Sequence, residues 1–261
     1  MALLLNKLNH IYGGVMSTPL NIRKDLIMLV RKEFIYEPKT LNDIIFANPE
    51  SKLRIYDIVT GSEPLPSSGK SGILLYGVYG TGKTTLAKML PNAIEQGKSQ
   101  TNLGMNAEFI ACQQGFNGAQ VMDLISRILN RNAFFNASGN HYIIIDEVDM
   151  LTKLAQESLK SAMNTDRAVF ILTTNNLSKL DKGMLDRCVL VDMNAANEDQ
   201  LLPFASQIAK DMGVQISNSE MLPTIKAANG SFRNLKHNIE RFLRRRSIPS
   251  DIIFLKGKQN D

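Results

Sequence analysis

One stretch constrains this chain more than any other: a glycine-rich run between an apolar segment and a helical one. The apolar segment is Gly72–Tyr76, and residues 86–90 have helical periodicity. The run between them reads Gly77-Val78-Tyr79-Gly80-Thr81-Gly82-Lys83-Thr84-Thr85, which has the spacing of a P-loop. A strand, a glycine loop and a helix in this order predict a site for a nucleoside triphosphate.

Each residue type in this loop has a physical role in binding phosphate. The glycines allow a tight turn that brings backbone N–H groups against phosphate oxygens, and the following helix contributes its positive end. We expect Lys83 to reach the β- and γ-phosphates and the Thr84 hydroxyl to bind Mg²⁺. The alternative is a glycine-rich turn that carries Lys-Thr by chance, and the flanking strand and helix count against it.

A second apolar run, residues 141–145, ends in two carboxylates. Asp146 and Glu147 follow it, so both are expected at the carboxyl edge of a buried strand, where α/β sheets bind ligands. Asp146 is placed to hold Mg²⁺, and Glu147 to polarise a water for in-line attack on the γ-phosphate. A strand that ends in a charged turn is the alternative. Adjacent Asp and Glu favour hydrolysis of the nucleotide over phosphate transfer to a second substrate.

Asn175 follows a further buried strand, so its amide is expected at the same edge, near the γ-phosphate. Thr and Asn are also common turn formers at the ends of strands, and the sequence leaves both interpretations open.

The order of apolar runs predicts an α/β fold with a parallel sheet, followed by a small helical lid. Continuous apolar strands alternate with helical patterns up to residue 195, and three helical patterns without a strand follow. We expect an N-terminal extension over 1–32, an α/β domain over 33–195, a lid over 196–247 and a tail over 248–261. The predicted strands are Gly72–Tyr76, Glu108–Cys112, His141–Ile145, Ala168–Thr174 and Cys188–Met193, with one helix over 179–185.

Composition is that of an ordinary globular chain with a modest positive charge. Of 261 residues, 44% are hydrophobic and 21% charged, and the formal net charge is +5. No apolar run approaches the ~20 residues of a membrane span. The charge favours an anionic partner only weakly, since a solvated basic face has the same effect. Cys112 and Cys188 suggest neither a disulfide framework nor a zinc site, which favours a reducing cytoplasm.

The order of the motifs resembles that of the AAA+ ATPases. After the P-loop come Ile-Ile-Ile-Asp-Glu-Val-Asp, Phe-Ile-Leu-Thr-Thr-Asn, Asp-Arg-Cys and Gly-Ser-Phe-Arg-Asn-Leu. Within that superfamily the chain most resembles the ATPase subunits of sliding-clamp loaders, of the replication factor C and phage T4 type, over about residues 33–245. The resemblance implies a five-stranded parallel sheet sandwiched by helices, a helical lid, and ATP with Mg²⁺ at the interfaces of a ring or spiral.

The resemblance also implies roles for single residues. Asn175 would be sensor 1, and Arg187 would be the arginine finger that reaches the γ-phosphate of the neighbouring subunit, in Asp-Arg-Cys where loaders usually have Ser-Arg-Cys. Arg233, at the start of a lid helix, would be sensor 2 and contact the nucleotide of its own subunit. Ile44 and Ile45 would lie beside the adenine, where simple core packing is an equally good interpretation.

Three features depart from the clamp-loader pattern. The chain ends soon after the lid, so we expect no C-terminal collar domain, and Glu37 stands where loaders usually carry Arg. The run Gly115-Phe116-Asn117-Gly118 follows the second strand, where protein-translocating AAA+ rings place an aromatic pore loop. Phe116 would then contact a threaded polypeptide. An apolar anchor in a glycine-rich loop is the interpretation we favour.

The leading prediction is an ATP hydrolase that acts in DNA replication in the manner of a clamp loader. It would be a homo-oligomeric ring or spiral, a pentamer or hexamer, with DNA and a replication protein as partners and no membrane. The alternatives are a protein-remodelling ring that uses Phe116 and a switch that binds ATP without hydrolysis, against which Glu147 counts. A basic cluster at the end of the last helix supports DNA only weakly, because the helix dipole alone favours cations there: Arg241, Arg244, Arg245 and Arg246.

Overall fold

The structure, a computed structural model, describes residues 38–99, 107–112, 117–131, 136, 138–211 and 215–247. Helices and strands alternate in the larger part. Their bounds are α1 Pro49–Thr60, β1 Gly72–Tyr76, α2 Lys83–Ser99, β2 Ala107–Ala111, α3 Gly118–Leu129, β3 His141–Asp146, α4 Lys153–Ala162, β4 Ala168–Thr174, α5 Lys182–Asp186 and β5 Cys188–Asp192. Short 3-10 turns lie at Leu41–Asp43, Val148–Met150 and Leu177–Lys179.

The strands form one five-stranded parallel sheet in the order β2-β3-β4-β1-β5. β1 lies between β4 and β5, with Gly72 opposite both Phe170 and Cys188. Because every strand runs in the same direction, all the carboxyl ends meet at one edge. The predicted five-stranded parallel sheet flanked by helices is confirmed.

Apolar side chains cover both faces of the sheet at β1, β3, β4 and β5, which explains why these strands are largely apolar runs rather than alternating ones, whereas the edge strand β2 is partly exposed. Along β1, Ile73 and Leu75 point to the face that packs against α1 and α2. Leu74 points to the other face, which packs against α3, α4 and α5. All three are fully buried. Each such side chain contributes about 1.5–3 kcal/mol of burial free energy.

A helical part follows the sheet, as predicted. It consists of α6 (Glu198–Asp211), α7 (Asn218–Lys226) and α8 (Phe232–Ser247), which pack against one another. The rings of Phe204 and Phe232 meet edge to face, with centroids 5.5 Å apart, and join α6 to α8. The domain bounds given above stay a prediction. The predicted extension over 1–32 and the tail over 248–261 lie outside the described residues.

The single helix predicted over 179–185 is wrong. The segment is divided between the 3-10 turn at Leu177–Lys179 and α5, and Leu180 between them is extended (φ −93°, ψ 147°). The cause is local: the Asp181 side chain accepts the N–H of Met184 at 3.1 Å and so starts a new helix. No helix in the described part of the chain combines the length and apolar character needed to cross a membrane.

A polar network is buried beneath α2. The Glu95 side chain, 5% exposed, accepts a hydrogen bond from the Tyr142 hydroxyl at 2.6 Å. Ser138 donates to the same carboxylate through both its hydroxyl and its N–H. The network ties the helix after the P-loop to the strand that ends in Asp146 and to the loop before that strand.

Candidate functional site

The P-loop begins where β1 ends and lies tightly against the chain that leaves β5. The N–H of Gly77 donates to the carbonyl of Thr174 at 3.3 Å. A Cβ on Gly77 would lie 2.5 Å from the carbonyl oxygen of Met193, and its φ of +150° is one that side chains rarely adopt. Only glycine fits at this position, so the first residue of the motif has a steric cause.

Lys83 is the first residue of α2, and its ammonium group lies inside the loop. Nζ donates to the carbonyls of Gly77 (2.9 Å) and Val78 (2.6 Å), and only 6% of the residue is exposed. Burial lowers the pKa of Lys83, and the carboxylate of Asp146 acts in the opposite direction. Among the described residues, the hydrogen-bond partners of this buried cation are neutral carbonyls, which fits a loop that receives an anionic phosphate.

The two predicted metal ligands, Thr84 and Asp146, are in direct contact. The Thr84 hydroxyl donates to Asp146 Oδ1 at 2.9 Å, and the Thr173 hydroxyl donates to the same oxygen at 2.6 Å. Three elements, α2, β3 and β4, therefore meet at one carboxylate oxygen. A hydroxyl and a carboxylate are oxygen ligands of the kind that Mg²⁺ takes together with phosphate oxygens, so these residues fit the predicted ion.

Glu147 leaves β3 in a left-handed backbone conformation (φ 58°, ψ 50°). Its N–H donates to the Thr173 hydroxyl at 2.9 Å, which helps to hold this conformation. Such a backbone costs on the order of 1–3 kcal/mol for a residue with a side chain, and such strain clusters at functional sites. The Glu147 side chain is exposed, whereas Asp146 is bound by two hydroxyls. The two adjacent carboxylates thus have different surroundings, as their predicted roles require.

Asp149 belongs to this site, although the sequence motifs predict no role for it. Its Oδ1 accepts the hydroxyl of Thr174 at 2.8 Å and the N–H of Asn175 at 3.3 Å. The turn that carries the predicted sensor 1 is therefore held by a carboxylate from the turn after β3. The sequence signal that could have identified Asp149 is its position as a third acidic residue shortly after Asp146 and Glu147.

Arg187 lies at the edge of the sheet formed by the amino ends of the strands, opposite the edge that carries the P-loop. Its carbonyl accepts the N–H groups of Ser71 (3.1 Å) and Gly72 (3.0 Å), which places it at the amino end of β1. Its guanidinium donates to the side chain of Asn164 (2.8 Å) and to the carbonyl of Gly183 (2.7 Å). Since a strand of five residues is about 16 Å long, the guanidinium is far from the P-loop of its own chain.

Arg233, the second residue of α8, lies on the P-loop side of the sheet and is exposed. Burial is the main cause of the lowered pKa of Lys83, and the positive charge of Arg233 adds to it. Ile44 is buried in the core beside α1 and α2, and Ile45 is half-buried. Their predicted position beside the adenine stays a prediction.

The other predicted elements are largely outside the described part of the chain. Glu37 and Phe116 lie outside it. In α8 the structure describes side chains up to residue 242. Of the basic cluster it therefore describes Arg241 alone, which is exposed. The structure thus brings together the P-loop, Asp146, Glu147 and Asn175 at one edge, with Arg233 beside them. It places Arg187 at the other edge.

The fold and this site define the class of the domain. Residues 73–193 match the family described as ATPase family associated with various cellular activities (AAA). This segment runs from β1 to the residue after β5 and contains the P-loop, both carboxylates, Asn175 and Arg187. The chain therefore contains an AAA domain with the P-loop NTPase fold.

Among curated proteins, the chain is related to replication factor C subunits. It is 23% identical over 210 residues to replication factor C subunit 4 of Encephalitozoon cuniculi, covering 79% of this chain and 62% of that one. It is 26% identical over 203 residues to replication factor C small subunit 2 of Pyrobaculum islandicum, covering 76% and 59%. The chain thus spans about three fifths of the length of these relatives. The predicted resemblance to clamp-loader-like AAA+ ATPases is confirmed.

A solved structure shows the same fold. The Thermotoga maritima RuvB Holliday junction branch migration motor superimposes with a TM-score of 0.63, covering 84% of this chain and 70% of that one. The sequences are 18% identical, so the likeness concerns the fold alone.

Proposed function

We propose that this chain is the ATPase subunit of a clamp-loader-like assembly and hydrolyses ATP at the interfaces between subunits. The supporting observation is the separation of two sets of residues. Lys83, Asp146 and Glu147 occupy the carboxyl edge of the sheet, whereas Arg187 occupies the amino edge, joined through its carbonyl to the start of β1. This separation supports a role for Arg187 at the nucleotide of a neighbouring subunit rather than at its own.

The replication role is proposed from the relatives. Their names place them in replication, and the chain is 23% and 26% identical to them over 210 and 203 residues. We propose primed DNA and a replication protein as partners, and a homo-oligomeric ring or spiral of five or six subunits as the active form.

The hydrogen bonds around the P-loop support a role for each residue. Lys83 exchanges its bonds to the Gly77 and Val78 carbonyls for bonds to the β- and γ-phosphates when ATP enters. Thr84 and Asp146 would hold Mg²⁺, which would supply positive charge to neutralise the phosphate oxygens. The two residues already share a hydrogen bond, so little rearrangement separates this arrangement from an ion site.

Glu147 is the proposed general base. Its exposed carboxylate accepts a proton from a water as the water oxygen bonds to the γ-phosphorus, and the bond from that phosphorus to the β–γ bridging oxygen breaks to give ADP and phosphate. Asn175, positioned through Asp149, orients the γ-phosphate and the attacking water. Arg187 of the neighbouring subunit stabilises the charge that develops on the γ-phosphoryl group.

The test is the ATPase rate of the full chain with and without a partner. We expect primed DNA to raise the rate and an unfolded polypeptide to leave it unchanged. Stimulation by the polypeptide alone would contradict the replication role and favour the remodelling ring that uses Phe116. Lys83→Ala is the matched control, since any rate that survives this change comes from a contaminating ATPase.

A further inference from the structure

The start of the lid helix α8 is hydrogen-bonded to the middle of the P-loop. Phe232, the first residue of α8, donates its N–H to the carbonyl of Gly80 at 2.9 Å. The packing is close: a Cβ on Gly80 would lie 2.3 Å from Ser231 Oγ and 3.4 Å from the Cβ of Arg233. Three consecutive residues at the start of α8 therefore lie against one peptide of the P-loop.

The donor in this bond is one that the helix itself cannot use. The first N–H groups of an α-helix have no acceptor within the helix and need partners elsewhere. The Ser231 side chain accepts the N–H of Asn234 at 3.3 Å, as an N-cap does. The N–H of Phe232 is directed to the P-loop instead, so the capping of α8 is completed by the nucleotide-binding loop.

This bond has a geometric consequence for phosphate binding. The carbonyl of Gly80 and the N–H of Thr81 belong to one planar trans peptide and point in opposite directions. A bond that holds the Gly80 carbonyl toward α8 therefore directs the Thr81 N–H away from α8. The Thr81 side chain is fixed as well, since its hydroxyl donates to the Val78 carbonyl at 3.0 Å and the residue is 2% exposed. Backbone N–H groups of this loop are the donors that cradle phosphates.

We propose that the backbone N–H of Phe232 is a positioning group for nucleotide binding: it orients the Gly80–Thr81 peptide for the phosphates. The inference rests on the proposed function in that it takes the P-loop ligand to be a nucleotide. If this is so, the affinity for nucleotide depends in part on the docking of the lid against the P-loop. By reciprocity, a bound nucleotide then stabilises the docked lid.

The experiment compares Phe232→Pro with Phe232→Ala. Proline is well tolerated at the first position of a helix and lacks the N–H, whereas alanine keeps it. Both variants lose the ring that packs on Phe204, so the difference between them isolates the hydrogen bond. We would measure the Kd of each full-length variant for a fluorescent ADP analogue. We expect Phe232→Pro to bind about 3- to 10-fold more weakly than Phe232→Ala, as for the loss of one hydrogen bond.

Equal Kd values for the two variants would overturn the inference. Because ADP binding needs no turnover, a wild type that binds ADP without hydrolysing ATP would contradict only the proposed function. A wild type that binds no ADP would contradict both. Circular dichroism shows whether Phe232→Pro folds.

A second measurement uses the wild type alone. Amide hydrogen exchange at Phe232 should slow when ADP is added, and by more than at Leu235. The Leu235 N–H donates to the carbonyl of Ser231 at 2.8 Å and so reports on the helix itself. Exchange at Phe232 that is unchanged by ADP, or that slows no more than at Leu235, would overturn the inference whether or not the proline variant folds.

Discussion

The Asp149 carboxylate accepts a hydrogen bond from the Thr174 hydroxyl at 2.8 Å and so joins the turn after β3 to the end of β4. Thr174 is fully buried, and Asn175 follows it directly. The position of the proposed sensor residue therefore depends on a carboxylate that has no proposed contact with the nucleotide.

The first prediction tests this dependence. Thr174→Val removes the donor to Asp149, so Asn175 should shift while Lys83 and Thr84 keep their positions. We expect the turnover rate to fall by about 10- to 100-fold, the range in which small misplacements act, with nucleotide affinity nearly unchanged. Thr174→Ser keeps the hydroxyl and should restore most of the rate. A Thr174→Ser rate as low as that of Thr174→Val would contradict the prediction, because the hydroxyl would then not be enough to position Asn175.

The second prediction separates binding from turnover. Lys83→Ala deletes the cation that faces the phosphates and should abolish ATP binding. Glu147→Gln should bind ATP normally but stall hydrolysis, because an amide cannot accept the proton of the attacking water. Equilibrium titration with labelled nucleotide and a phosphate-release assay report the two effects. Wild-type turnover by Glu147→Gln would remove this residue from the mechanism.

The third prediction concerns the shared site. Arg187→Ala should leave ATP binding largely intact while it lowers turnover by a factor on the order of 10³ or more, as for arginine fingers elsewhere. Lys83→Ala subunits keep an intact Arg187, and Arg187→Ala subunits keep an intact P-loop. Mixing the two inactive variants should therefore restore activity at subunit interfaces that pair an intact P-loop with an intact Arg187.

The measurement for the third prediction is the ATPase rate against mixing ratio, at a concentration that supports assembly. A bell-shaped recovery is expected. No recovery, with mixed assemblies confirmed by pull-down, would falsify the action of Arg187 in trans. Arg187 would then serve only its bonds to Asn164 and Gly183.

The fourth prediction concerns stability. Tyr142→Phe removes the hydroxyl that donates to the buried Glu95 carboxylate and should lower the free energy of unfolding by about 1–3 kcal/mol. Urea unfolding near neutral pH measures the change. Tyr56→Phe is the matched control, because it removes a hydroxyl that donates to the Asn42 side chain at the surface, and it should change stability by less. No change for Tyr142→Phe would show that the carboxylate finds an equivalent donor.

The same variant predicts a pH dependence. Burial, and then the hydrogen bond to Glu95, raise the pKa of Tyr142 above its ordinary value of 10.0. Because the folded pKa is the higher one, the contribution of the hydroxyl to stability is complete below pH 10.0 and is lost as the pH rises above it. The stability gap between wild type and Tyr142→Phe should thus be constant below that pH and shrink above it. A gap that shrinks already near neutral pH would contradict the raised pKa.

The strands could be predicted from sequence because burial on both faces leaves a local signal. β1 and β4 begin and end where their apolar runs do, since each residue along them meets a core. The hydrogen bonds between elements leave no such signal. Thr174 lies 25 positions from Asp149, and Tyr142 lies 47 positions from Glu95. From the sequence, Glu95 in an amphipathic helix is expected to be solvated. Its burial depends on the fold, which brings the Tyr142 hydroxyl to it.

The motifs of the site were visible for a different reason. The P-loop needs its glycines and lysine at fixed spacing within a few residues, so its geometry is encoded locally. The contact between Phe232 and Gly80 is not, because it depends on how α8 lies against a loop about 150 positions earlier in the chain. The left-handed backbone of Glu147 likewise depends on the Thr173 hydroxyl from the neighbouring strand.

Arg187 and the P-loop lie at the two ends of β1, and this placement determines how many complete ATPase sites an assembly of a given number of subunits contains. In the proposed assembly, where Arg187 acts on the neighbouring nucleotide, each chain would give one half-site in each direction, so contacts between copies would be head-to-tail and the assembly would have a direction. A closed ring would contain as many complete sites as subunits. An open spiral would contain one fewer, because its last P-loop has no neighbour to supply a finger. The ratio of hydrolysing sites to subunits therefore distinguishes a ring from a spiral without an image of either.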